Sequence, residues 1–194
     1  MAKIPTALAR KRAVDRVIEV MRAELANELA SLNTEATGGD LYLPAPPLDA
    51  YRRAPADPTH ILPDNQDIIV YVYPAGARGL VSRGSSGVTR ANEQREWTLE
   101  VTLACRAALS EEVELDGYPI TSGERLWVRS DLYTGAIIET VEKYACEGEA
   151  IHFIEMSDDM AALFWDGQRK MYGISTAKFD ITQITSAPLR RKLP

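Results

Sequence analysis

Residues able to do chemistry are sparse in this chain and poorly spaced for it. The two histidines are His60, within a proline-rich stretch, and His152, within an apolar one; neither has a second histidine or a cysteine at metal-ligand spacing. They read as a loop histidine and a sheet histidine. Cys105 and Cys146 are too few for a disulfide framework or a zinc site, and read as small buried apolar residues. Glu155, Asp158, Asp159 and Asp166 form the tightest acidic cluster that might bind a divalent cation. A calcium loop, however, needs ligands at alternating positions around a glycine that relieves the turn, and that pattern is missing. Gly76, Gly79, Gly84 and Gly87 come after an apolar run, as a phosphate cradle would. They lack the Gly-Lys-Ser/Thr ending, and the residues beyond them have the pattern of a strand instead of a helix N-terminus. Gly84-Ser85-Ser86-Gly87 has the wrong glycine spacing around serine for a nucleophile elbow. The residues therefore predict no catalytic group, no metal and no cofactor.

The elements that would hold such groups are easier to read. The 194 residues are 45% apolar and 26% charged, ordinary for a globular chain that buries roughly 70% of its unfolded surface. The longest apolar runs, Ile68 to Tyr73 and Met160 to Trp165, are far below the span of a membrane helix. The first twenty residues have no apolar stretch of the kind a secretory signal needs, which predicts a protein made and kept in a cytoplasm. Val14, Val17, Ile18, Met21, Leu25, Leu29 and Leu32 recur at helical spacing and predict one long amphipathic helix over 6–32. Residues 33–66 hold six of the eleven prolines, which predicts a long extended segment lying over a surface, that of a neighbouring subunit included.

Asp67 to Tyr73 is a β-branched and aromatic run, read as a strand buried on both sides and ending at Pro74-Ala75-Gly76. Gln94 to Leu109 alternates, with Trp97, Leu99, Val101, Leu103 and Cys105 on one face. The two form a hairpin whose connection, within 75–93, reads either as a mobile loop or as an arm that orders on a partner. Leu126 to Cys146 reads as a second helix. Ala150 to Met156 reads as a strand, Met160 to Trp165 as a separate short apolar stretch, and Met171 to Thr185 as a last strand stopped by Pro188. The prediction is one α+β domain over 1–194, an antiparallel sheet covered on one face by two helices, with a proline-rich extended segment and a long hairpin arm.

Charge is uneven. Residues 1–22 carry +4 and residues 186–194 carry +3, through Arg190, Arg191 and Lys192, so residues 23–185 carry −13. An acidic body argues against general nucleic-acid binding. Basic ends and an acidic body are unlike surfaces that could meet between copies.

The order of a helix, DIIVYVYPAG, a glycine- and arginine-rich loop, REWTLEVTLACRA, LWVRSDLYTGAIIETVEKY, IHFIEM and MYGISTAKFDITQI, with the small-residue patch Gly173 to Ala177, resembles the tail terminator proteins of long-tailed bacteriophages over 6–185. The resemblance implies a structural virion protein made in the host cytoplasm. It implies a hexameric ring at the neck, which stops tail-tube growth and joins tail to head, without catalysis or cofactor. Its partners would be copies of itself, the tail tube protein and the head-tail connector protein, with no membrane and with only sequence-independent contact to DNA in the lumen. The contact residues expected are Arg78, Leu80, Val81, Arg83, Val88 and Arg90 on the arm, and Arg190, Arg191 and Lys192 at the end. The rivals are another neck component, a connector or stopper, and a small metal- or phosphate-dependent enzyme using the acidic cluster or the glycine-rich loop.

Overall fold

The helical stripe does form one helix. In a computed structural model that describes residues 6–35, 42–54, 62, 66–82, 90–106, 113–115, 118–145, 152–165 and 171–188, helix α1 runs Thr6–Glu35. Val14, Val17, Ile18, Met21, Leu25 and Leu29 are all buried along one side of it. Helix α2 runs Ser122–Ala145, four residues earlier than its apolar spacing suggests. The reason is a capping box: the Thr121 N–H donates to Glu124 Oε2 at 2.8 Å, and the Glu124 N–H donates back to Thr121 Oγ1 at 3.2 Å.

The strands are β1 Tyr51–Arg52, β2 Ile68–Ser82, β3 Arg90–Arg106, β4 Val113–Leu115, β5 Tyr118–Ile120, β6 His152–Trp165 and β7 Met171–Pro188. Five make one sheet in the order β1-β2-β3-β7-β6; β4 and β5 form a separate two-stranded pair. The class is α+β, as the order of patterns predicts. The sheet is mixed instead of purely antiparallel, because Tyr51 and Arg52 leave the proline-rich stretch to pair parallel to Val70 and Tyr71.

Two strand boundaries need correction. The first hairpin strand does not stop at Tyr73. It passes Pro74, Gly76 and Gly79 and stays paired to Ser82, with register shifts at Pro74/Gly76 and Arg78/Leu80 that absorb the awkward residues. Ala150 to Met156 and Met160 to Trp165 are likewise not two elements. One strand, β6, pairs with β7 throughout and bulges at Phe153/Glu155 and Met156/Asp158.

Both helices pack on one face of the sheet. Their apolar stripes meet Val70, Val72, Trp97, Leu99, Val101, Leu103, Cys105, Ala177, Phe179 and Ile181 in one core. Each fully buried Leu, Ile or Phe there contributes about 1.5–3 kcal/mol. Gly173 brings α2 unusually close to β7. A Cβ built on it would lie 2.1 Å from Ser130 Oγ and 3.0 Å from Leu126 Cδ1. Ser175 completes the seam, its Oγ donating to the Ser130 carbonyl at 2.5 Å.

Of the proline-rich stretch, residues 42–54 lie against the chain's own helices. The Asn33 side chain clamps Leu43 through both its amide nitrogen, 3.1 Å from the Leu43 carbonyl, and its oxygen, 2.7 Å from the Leu43 N–H. Tyr133 Oη donates to the Pro44 carbonyl at 2.7 Å, and Tyr51 Oη to the Met21 carbonyl at 3.2 Å.

Candidate interaction surface

The face of the sheet away from the helices grades from apolar to polar. At one end Ile69, Tyr71, Ala104 and Tyr172 form a second cluster, on which Leu62 of the proline-rich segment sits. Ile68 to Val72 are therefore buried on both sides, as the composition of the run suggests, while Asp67 is exposed and Tyr73 half-buried. Further along, side chains of β2, β3 and β7 form a polar ladder. Thr102 and Thr176 hydroxyls lie 3.2 Å apart, Thr98 Oγ1 donates to Asp180 Oδ1 at 3.1 Å, and Tyr73 Oη donates to Glu100, which also faces Lys178 Nζ at 4.0 Å. Burial, followed by the bond to Glu100 and its charge, pushes the Tyr73 hydroxyl up to about 12. These pairs bond one another across the strands.

Past Trp97 and Ile181 the pairing continues as a three-stranded ladder of β2, β3 and β7. From Trp97 to Arg90 it extends about 23 Å at the usual strand rise. Four of the expected contact residues are on this backbone. Arg78 pairs with Glu96, Leu80 with Arg95, Val81 with Gln94, and Arg90 with Pro188. Arg83, Val88, Arg190, Arg191 and Lys192 lie outside the described residues, as do His60, Cys146, Asp166 and the Gly84 to Gly87 motif. Much of 75–93 is thus laddered strand where the spacing suggests a loop.

Among the described residues no three His, Cys, Asp or Glu side chains come together as a metal site, and no helix is long and apolar enough to cross a membrane. Cys105 is buried, and burial pushes its thiol up to about 11, which suppresses the reactive thiolate.

The basic start of α1 is largely engaged within its own chain. Lys11 and Arg53 both pair with Asp15, at 2.5 and 2.6 Å, and the Lys11 hydrogen bond leads in holding that carboxyl below its usual range. Arg16 donates to the Tyr144 carbonyl at the end of α2, 3.1 Å away, where unpaired carbonyls attract cations. Arg10 and Arg22 lie over the Trp97 and Tyr51 rings.

One functional candidate escapes the sequence reading. Arg129 occupies the buried side of α2 and is only 8% exposed. It hydrogen-bonds the Tyr133 hydroxyl and its charge reaches the Cys105 thiol, while its Nε has no hydrogen-bond partner. Arg125, one turn earlier, also has a buried Nε without a partner. A charge removed from water costs several kcal/mol unless it is paired. The signal was an arginine set among Leu126, Tyr133 and Ile137 in an otherwise apolar stripe. Among the described residues, the exposed aromatic side chains are Tyr42, 60% exposed, and Trp127, 48%, on the outer side of α2.

No family model matches this chain, and no curated protein matches it in sequence.

Proposed function

We propose that this protein is a structural subunit of a bacteriophage neck, a tail terminator that closes into a hexameric ring on the head-proximal end of the tail tube. In this role it stops tube growth and offers a surface to the head connector. The order of elements supports the reading, and one observation carries it: β2, β3 and β7 stay paired past Trp97 and Ile181 as a long ladder that carries Arg78, Leu80, Val81 and Arg90. A strand ladder of this length suits a contact surface, because it can pack against a neighbour or accept a strand from it at an edge. A ring made by head-to-tail contacts needs two unlike surfaces on each subunit, and the ladder and the acidic body would supply them.

The test is tube assembly in the presence of the purified chain. Deleting Gly79 to Arg90 removes the outer pairs of β2 and β3 while sparing the core strands. The expected result is a folded chain by circular dichroism that no longer limits tube length in electron micrographs. Normal capping by this variant refutes the assignment of the ladder, and failure of the wild-type chain to cap any tail tube refutes the function.

A further inference from the structure

The sheet ends in two edges of unlike character. Among the described strands, β6 has β7 on one side and none on the other, along all of its 14 residues. The opposite edge is stepped. There β1 pairs with Val70 and Tyr71 alone, so among the described strands β2 has β3 as its one neighbour from Val72 to Ser82. Rows of N–H and C=O groups left open in this way are templates for another strand. Charge separates the two edges. β6 carries Glu155, Asp158 and Asp159 and no lysine or arginine, whereas Val72 to Ser82 carries Arg78 and no acid, with Arg52 on β1. Charges and bulges are what guard an edge against pairing, and on β6 the guard is partial. The acids and both bulges lie between Phe153 and Asp159, while Met160 to Trp165 is uncharged and runs in unbroken register with β7.

We infer that β6 of one copy receives the open stretch of β2 from a second copy, joining the two sheets edge to edge. The inference rests on the ring reading and deepens it by naming the subunit contact. Strand direction permits the joint. β2, β3, β7 and β6 are each antiparallel to the next, so a second copy in the same orientation brings its β2 antiparallel to β6. Repeating that step joins unlike edges head to tail, as a ring requires. Pairing β6 with β6 would instead set acid against acid and close a dimer. β1 supplies a stop. It fills the place beside β2 as far as Tyr71, so an incoming β6 starts with Trp165 against Val72. Six residues along from there, 72 + 6 and 165 − 6, are Arg78 and Asp159, which fall within one position of each other once the β2 bulge at Pro74/Gly76 is counted. The uncharged stretch Met160 to Trp165 then runs beside 72–77. Main-chain bonds supply affinity in such a joint, and opposite charges on neighbouring strands fix its register.

The experiment follows amide hydrogen exchange by mass spectrometry on the full wild-type chain, at concentrations below and above assembly. Sedimentation velocity then compares wild type, Arg78→Asp, Asp159→Arg and the two substitutions combined. The expected result is exchange at least tenfold slower in the assembled protein for 72–82 and for those amides of 152–165 that β7 leaves unbonded. Each single substitution should weaken self-association at least tenfold, and the combination should restore most of it. Slowing confined to one of the two strands, or absent from both, overturns the inference and leaves the ring standing. Unbonded β6 amides that are already slow in the dilute monomer also overturn it, since that result places the partner in the same chain. So do single variants that assemble as wild type does, or a combined variant that assembles no better than the single ones. A wild-type chain that stays monomeric at every concentration sinks the ring reading and this contact together.

Discussion

Replacing Gly173 with alanine tests the close seam between α2 and β7. The new methyl would stand 2.1 Å from Ser130 Oγ and 3.0 Å from both Cδ1 and Cγ of Leu126. Ordinary contact begins near 3.4 Å, so one neighbour or the strand has to retreat by more than an ångström. Ser130 has one escape: its hydroxyl can rotate away, giving up the 2.8 Å bond it donates to the Leu126 carbonyl. That rotation does nothing for the Leu126 contact. Overpacking of this sort costs about 1–3 kcal/mol, and alanine recovers about 0.5–1 kcal/mol of the entropy penalty glycine carries in a strand. The net expectation is a loss of about 1–2 kcal/mol, which lowers Tm by about 2–8 °C in a chain of this size. Urea and thermal unfolding followed by circular dichroism give the number. Adding Ser130→Ala removes the nearest atom and should restore at least half of the loss, a coupling a double-mutant cycle measures directly. Gly173→Ala melting at or above wild type, or strict additivity with Ser130→Ala, refutes the packing argument.

Two further outcomes concern the cap of α2 and the buried thiol. Thr121→Ala should destabilise by about 1 kcal/mol in urea unfolding, the usual loss of an N-cap hydroxyl. The backbone and side-chain hydrogen bonds from Thr121 hold the Glu124 carboxyl below its ordinary value, so the stability this group adds is present above that value and fades as pH falls through the lowered one. Glu124→Gln should flatten that part of the acid limb in pH-dependent melting. In a Cys146→Ser background, Cys105 should react with a thiol reagent at pH 8 only as fast as the chain opens, and within seconds once unfolded in urea; prompt reaction of the native chain would show that the thiol is open to solvent.

Periodicity revealed the core because burial and secondary structure impose the same spacing. Trp97, Leu99, Val101, Leu103 and Cys105 alternate in sequence and lie buried on the helix face. The stripe from Val14 to Leu29 likewise became the inner side of α1. Strand ends were hidden where tertiary pairing overrides local preference. Pro74, Gly76 and Gly79 signal a break, yet β2 continues through them because bulges let its partner β3 hold the register. Ser157, Asp158 and Asp159 similarly interrupt an apolar run without ending β6. The start of α2 was written in Thr121 and Glu124, a signal that apolar spacing alone passes over. The pairing of Tyr51 and Arg52 with β2 could not be read, since two residues carry no period. For the candidate interaction surface, the sequence marks Arg78 and Arg90 by type, whereas the burial of Arg129 beside Tyr133 depends on what surrounds it in three dimensions.

The junction of β3 and β7 sets how this molecule would bear force. Seventeen consecutive pairings, from Arg90 with Pro188 to Arg106 with Tyr172, run without a slip, while the strands on either side are both bulged. A pull on the tip directed along the strands would load this junction in shear, sharing the strain among many bonds at once instead of peeling them singly. The outer strands can twist at their bulges while the central pair acts as a stiff lever beneath the two helices packed on its face.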